Sequence, residues 1–211
     1  MKFRYTEELI KRMPELASAE EGIKAAICAI IECHNNGGKL LIAGCGGSAS
    51  DSEHISGELL KGFLLKREPR GAALKALTEA IGEEEAKQLQ GGVRAIPLIS
   101  LSAVSTAYAN DVNPELVFAQ GVYALGLPCD IFLGLSTSGN SKSVVKAARV
   151  ADAIGMKTVA LTGESGGALA ELCHITVKAP HRETFRVQEY HLPIYHAICA
   201  DVESELFGDL Q

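Results

Sequence analysis

Two short segments of this 211-residue chain have the composition of anion-binding turns. GCGGSAS (Gly44–Ser50) directly follows the apolar run KLLIAG (Lys39–Gly44). Glycines let a backbone turn tightly and approach a ligand, and Ser48 and Ser50 can donate hydroxyls or cap a helix. A helix that starts there presents free N–H groups and a partial positive charge. The segment lacks the third glycine of a dinucleotide-binding turn, having Ala49 there, and it lacks the lysine of a P-loop. A plain tight turn between strand and helix explains the same residues. STSGNSKS (Ser136–Ser143) follows the run DIFLGLS (Asp130–Ser136). Its hydroxyls and backbone N–H groups can meet several phosphate oxygens at once. Lys142 is the one lysine near the centre of this loop, so the anion would be held mainly by dipoles. A Ser/Thr-rich turn can equally be only a helix cap.

Two further sets carry proton-transfer or metal-ligating side chains. His54 and Glu58 are four apart, which places them on one face of a helix. Gln188 and His196, with Glu189 and His191 between them, lie in a long helical pattern, Arg186 to Phe207. Positions eight apart differ by roughly 80° around a helix and about 12 Å along it. Each set taken alone is equally a surface pair or a structural histidine, and spacing does not join the two helices.

The elements that must position these residues are legible from periodicity. KLLIAG, AIPLISLS (Ala95–Ser102), DIFLGLS, KTVALTG (Lys157–Gly163) and HITVKAP (His174–Pro180) read as buried strands. Helix-period segments such as Val144–Ile154 lie between most of them, so the expected fold is α/β, a parallel sheet covered on both faces. Both candidate loops then fall at strand carboxyl ends, where open α/β sheets bind ligands. Leu9, Ile10, Met13 and Leu16 mark an N-terminal helix. Ser18 with Glu21 reads as a capping box before a second helix, Ile23–Cys33. Lys66–Gly92 is polar and helix-prone, and is expected to be an inserted helical arm within a single domain, 1–211.

Hydrophobic residues make up 47% of the chain, enough for a packed core, and the formal net charge of −6 argues against a nucleic-acid partner. The N-terminal stretch carries charges throughout, so neither a signal peptide nor a membrane span is expected. The six cysteines form no CxxC pair and mostly sit in apolar runs, which points to a reducing, cytoplasmic compartment.

GCGGSASDSEHISGEL, ANDVNPELVFAQ, LGLSTSGNSKSVVKA, TVALTGESGG and RVQEYHLPIYH, in this order, resemble the SIS (sugar isomerase) family, and within it the phosphoheptose isomerase branch. The resemblance implies a three-layer αβα sandwich with a five-stranded parallel sheet, flavodoxin-like and doubly wound. It implies aldose–ketose isomerisation of a phosphorylated sugar, such as sedoheptulose 7-phosphate, through an enediol. Carried over by motif, Ser136, Thr137, Ser138 and Ser141 would hold the phosphate. Gly46, Gly47, Ser48, Asn110, Asp111 and Gln188 would contact substrate, with Glu58 and His196 as the acid–base pair. His54, Glu58, Gln188 and His196 match a zinc site, and the family implies a homotetramer. Other relatives are non-catalytic phosphosugar binders, replication-initiator-associating proteins or regulatory modules; retention of Glu58 and His196 favours the enzyme. The chain departs from the family's usual residues with Cys45 for Asn, Phe185 for Asp, Lys61-Gly62 where an arginine is usual, and the arm at 66–92. These departures bear on substrate identity more than on reaction class.

Overall fold

The computed structural model describes residues 2–208. In chain order the helices and strands are α1 (Arg4–Arg12), α2 (Glu20–Asn35), β1 (Leu40–Ala43), α3 (Gly47–Leu60), α4 (Gly71–Ile81), α5 (Glu83–Ala86), β2 (Ala95–Pro97), α6 (Ser102–Asp111), α7 (Val117–Leu125), β3 (Ile131–Ser136), α8 (Lys142–Ala153), β4 (Lys157–Thr162), α9 (Gly167–Leu172), β5 (Ile175–Lys178) and α10 (Thr184–Phe207). The strands form one parallel sheet in the order β2-β1-β3-β4-β5. This is the flavodoxin-like order, whose direction of winding reverses between β1 and β3. Side chains alternate along each strand, so the sheet feeds two cores. Leu40, Ile42, Leu133 and Leu161 pack with Ile23, Ile27, Val187 and Ile194 of α2 and α10. Leu41, Phe132 and Ala160 pack on the other face with Val122, Val144 and Ala148 of α7 and α8. The expected αβα sandwich is the observed one.

Three local expectations change. The capping box at Ser18 does not form. A 3₁₀ turn, Pro14–Ala19, runs directly into α2, and the cap residue Ala19 is already in the helical region without a side-chain cap. The run Ala95–Ser102 is a strand only to Pro97, then a 3₁₀ turn over Leu98–Ser100. β2 is an edge strand, where proline is tolerated, and there the chain turns away from the sheet. The arm is two helices, and its longer one, α4, buries nothing. Its root is buried. Arg67 donates from Nε to Glu203 Oε1 at 2.7 Å, from Nη1 to the Leu59 carbonyl at 2.7 Å and from Nη2 to the Glu58 carbonyl at 3.1 Å. Glu203, on α10, also accepts the backbone N–H groups of Phe63, Leu64 and Leu65.

α10 is anchored by two more buried polar groups. Asp201 accepts the N–H groups of Tyr5 and Thr6 and the Thr6 hydroxyl, so its carboxylate meets the positive end of α1. His191 is fully buried, with Nε2 3.2 Å from the Thr162 carbonyl at the end of β4. Burial pulls the His191 pKa down to about 4. Its folded-state value thus lies below the unfolded one, so folding stability falls as the pH drops from about 6.5 towards 4, where only the unfolded chain binds the proton. Urea unfolding at pH 7 and pH 4.5 should show a loss on the order of 2–3 kcal/mol attributable to this residue. The same comparison in His191→Asn should show that part of the loss abolished.

Candidate active site

The loop after β1 and the loop after β3 face each other across the point where the winding reverses. Gly46 caps α3 with φ +60°, ψ −125°, a conformation open to glycine. A Cβ on Gly47 would collide with the Gln188 amide, so glycine here lets α10 lay Gln188 against the loop. Beyond β3, the Ser136 carbonyl accepts the Gly139 N–H at 2.9 Å, which closes the turn. Gly139 has φ +68° and packs against the Gly166 backbone so closely that no side chain fits. Asn140 rivets the loop from inside. Its amide donates to the Ser138 carbonyl, and its oxygen accepts the Ala168 N–H, each at 3.0 Å.

Between the loops lies a cavity of about 170 Å³, lined by Ser48, Ser136, Thr137, Ser138, Ser141 and Gln188, together with Cys45 and Thr184. Ser141 occupies the cap position of α8 yet makes no side-chain cap bond, so its hydroxyl is not used up as a helix cap. The Cys45 thiol stands 3.5 Å from the hydroxyls of Ser141 and Ser143. The Lys142 ammonium points elsewhere, to Glu115 at 3.0 Å, and Lys146 joins the same carboxylate at 2.6 Å. An anion placed in the cavity would meet hydroxyls, backbone N–H groups and the amino ends of α3 and α8.

The second cluster joins α3 to α10, the junction that spacing alone left open. His54 Nε2 is 3.1 Å from Glu58 Oε1 and 3.4 Å from His196 Nε2. Glu58 Oε2 accepts from Lys61 Nζ at 3.2 Å. His196 stacks edge-on against His54 and Tyr195, and Phe63 lies over it. Burial, then the neighbouring His54, lowers the His196 pKa, while Glu58 raises it. An imidazole and a carboxylate gathered around one histidine have the residue types of a proton-transfer pair.

The implied metal ligands divide between the two places. His54, Glu58 and His196 meet, whereas Gln188 lines the serine cavity. Among the described residues no group of three or more His, Cys, Asp and Glu side chains is arranged, as it stands, to hold a metal ion. The donor chemistry fits zinc all the same. Two imidazole nitrogens 3.4 Å apart have the separation that a tetrahedral ion with bonds of about 2.0–2.1 Å imposes. Asn110 and Asp111 sit exposed at the end of α6, hydrogen-bonded to each other at 2.8 Å, and do not line the serine cavity.

Residues 4–96 and 78–163 match the SIS domain family. The chain belongs to that family. This SIS protein is 39% identical to phosphoheptose isomerase 2 of Campylobacter jejuni over 88% of its own length and 81% of the relative's. Its fold is similar to that of a phosphoheptose isomerase from Francisella tularensis, with TM-score 0.76, 32% identity and 95% of each chain covered. The phosphoheptose isomerase of Neisseria gonorrhoeae superposes with TM-score 0.72 and 30% identity, covering 93% of this chain and 94% of that one.

Two polar residues of this SIS domain's site escaped the motif reading. Asp51 is one helical turn before His54, and Tyr195 directly precedes His196. The Tyr195 hydroxyl touches both Asp51 and His54. The i, i+3 spacing of Asp51 and His54 is the available signal; nothing local marks Tyr195.

If the serine loop holds the phosphate, replacing Ser138 and Ser141 together by Ala should weaken phosphosugar binding by roughly 1–3 kcal/mol, the worth of the lost hydroxyl contacts. Calorimetry with the double variant measures this, and unchanged affinity would remove the loop from the site.

Proposed function

We propose that this protein interconverts sedoheptulose 7-phosphate and D-glycero-D-manno-heptose 7-phosphate, an aldose–ketose isomerisation. The observation that carries it is the meeting of the Glu58 carboxylate and the His196 imidazole around His54, in a domain whose sheet edge also holds a serine-lined anion cavity. The names of the similar proteins supply the seven-carbon sugar.

The chemistry follows from those groups. In the ketose the C1 hydrogens are acidified by the adjacent C2 carbonyl. Glu58 takes one of them as a proton, and the electron pair moves to form the C1–C2 double bond while the C2 oxygen gains charge. His196 supplies a proton to that oxygen, giving the enediol. Glu58 then returns its proton to C2 while the O1 proton passes to His196, which leaves the aldehyde at C1 and both residues as they began. The phosphate keeps its contacts with the serine loop throughout and takes no part in bond making.

His54, Glu58 and His196 are the residues that would hold a zinc ion, which when bound polarises the sugar oxygens. Gln188 is eight residues from His196, about 12 Å along α10, so it would complete such a site from a second copy of the chain. A homotetramer with shared sites, as the family resemblance implies, is the assembly proposed here. Light scattering is the check; a fully active monomer at micromolar concentration contradicts it. No helix among the described residues is long and apolar enough to cross a membrane, which is compatible with the cytoplasmic setting proposed here.

A non-catalytic phosphosugar binder is the rival reading, and Glu58→Gln separates the two. The variant keeps size and hydrogen bonding but removes the base. Turnover should fall roughly 10²–10⁴-fold, the range for a positioned acid–base group, with far less change in phosphosugar affinity. Near-normal turnover would sink the assignment of Glu58. Metal content of the same preparations, by elemental analysis, decides the zinc: a zinc-free wild type with full activity leaves the acid–base pair standing and eliminates the ion.

A further inference from the structure

Tyr195 is 2% exposed, and its hydroxyl lies between two groups of α3. The oxygen is 3.3 Å from Asp51 Oδ1 and 3.0 Å from His54 Nδ1. A phenol has one proton to give and lone pairs to receive with. Asp51 Oδ2 is buried without a hydrogen-bond partner, so this carboxylate draws on the Tyr195 hydroxyl through its other oxygen. An ionised carboxylate only accepts, so the Tyr195 proton points to Asp51. The phenol oxygen then offers only lone pairs to His54, and the proton in that second contact must come from Nδ1.

We propose that Tyr195, oriented by Asp51, is a positioning residue that fixes His54 as its Nδ1–H tautomer and turns a bare Nε2 lone pair towards Glu58 and His196. The order of the chain is Asp51 carboxylate, Tyr195 hydroxyl, His54 Nδ1–H, then His54 Nε2 as acceptor. A ring nitrogen's state is set by the hydrogen bond its partner nitrogen makes, and here that bond is built from buried groups on two helices.

The tautomer matters for the reaction, and this part of the inference rests on the isomerase reading. With its proton on Nδ1, His54 offers the Nε2 lone pair 3.1 Å from Glu58 Oε1 and 3.4 Å from His196 Nε2, as an acceptor between the two groups that exchange protons with the sugar. The opposite tautomer would offer an N–H there instead.

Long-range ¹H–¹⁵N NMR on histidine-labelled, chelator-treated full-length protein reads the tautomer without substrate. Wild-type His54 should carry its proton on Nδ1. Tyr195→Phe should move it to Nε2, facing Glu58, while the buried His191 signals stay in place as a control for the fold. Asp51→Ala keeps the phenol but removes its acceptor, so the hydroxyl turns to Nδ1 and the same switch to Nε2–H is expected. In turnover, Tyr195→Phe should lower kcat roughly 10-fold or more, the scale of a lost outer hydrogen bond, with KM for the sugar phosphate nearly unchanged. A wild-type His54 protonated on Nε2, or a tautomer unmoved in both variants, overturns the proposal. Absence of turnover in the wild type with every sugar phosphate tried would overturn the isomerase reading, and the NMR result would still decide the tautomer.

Discussion

The buried ion pair between Arg67 and Glu203 holds the working parts of this domain in register. Taking a guanidinium and a carboxylate out of water costs several kcal/mol each, and the pair is tolerable only if the remaining donors and acceptors are filled. Here they are. Glu203 collects three consecutive backbone N–H groups beyond α3, and Arg67 spends its other nitrogens on the Leu59 and Glu58 carbonyls. The consequence is geometric. The last turn of α3, which carries Glu58, is bonded through Arg67 to α10, which carries His196. Two helices that spacing alone could not join are tied by this charge pair as well as by their packing and the Tyr195 contacts, and the His54–Glu58–His196 cluster inherits its spacing from them.

The serine-lined cavity is built on a different balance. The ammonium of Lys142, the lysine that directly follows the loop, is committed with Lys146 to Glu115 rather than to the cavity. Hydroxyls and N–H dipoles hold an anion without the strong point attraction of a lysine, and the loop must be rigid to do so. Gly139 against the Gly166 backbone, and Asn140 bridging to Ala168, supply that rigidity from the neighbouring β4–α9 connection. Cys45 adds a soft, weakly polar atom where an amide is usual, in contact with Ser141.

Much of the architecture was legible because parallel strands buried on both faces read as continuous apolar runs, and glycine loops mark their carboxyl ends. Both loops and the His54–Glu58 face were legible for the same local reasons. What was not legible depends on partners far away in the chain. Ser18 lost its cap role because the preceding turn enters α2 already helical. The start of α1 is satisfied by Asp201, some 195 positions away, which no local cap rule can find. Arg67 read as part of a solvated arm, yet its side chain is buried against α10. Nothing local marks Tyr195, whose hydroxyl meets Asp51 and His54 because α3 lies beside α10.

The arm at 66–92 leaves and rejoins the domain through a narrow neck. The Gly91 N–H donates to the Arg67 carbonyl at 2.7 Å, and Val93 N–H to the Leu59 carbonyl at 2.8 Å. With its ends held this close, closing the intervening segment adds little entropy that depends on its length. Its long helix touches no buried core, so lengthening, shortening or replacing it leaves the sheet and both clusters as they are. The neck makes this stretch a cassette. A lineage can exchange α4 as long as Arg67, the buried Ala86 and Gln90, which accepts the Gly62 N–H, stay, since these residues are tied to the domain rather than to the exposed helix.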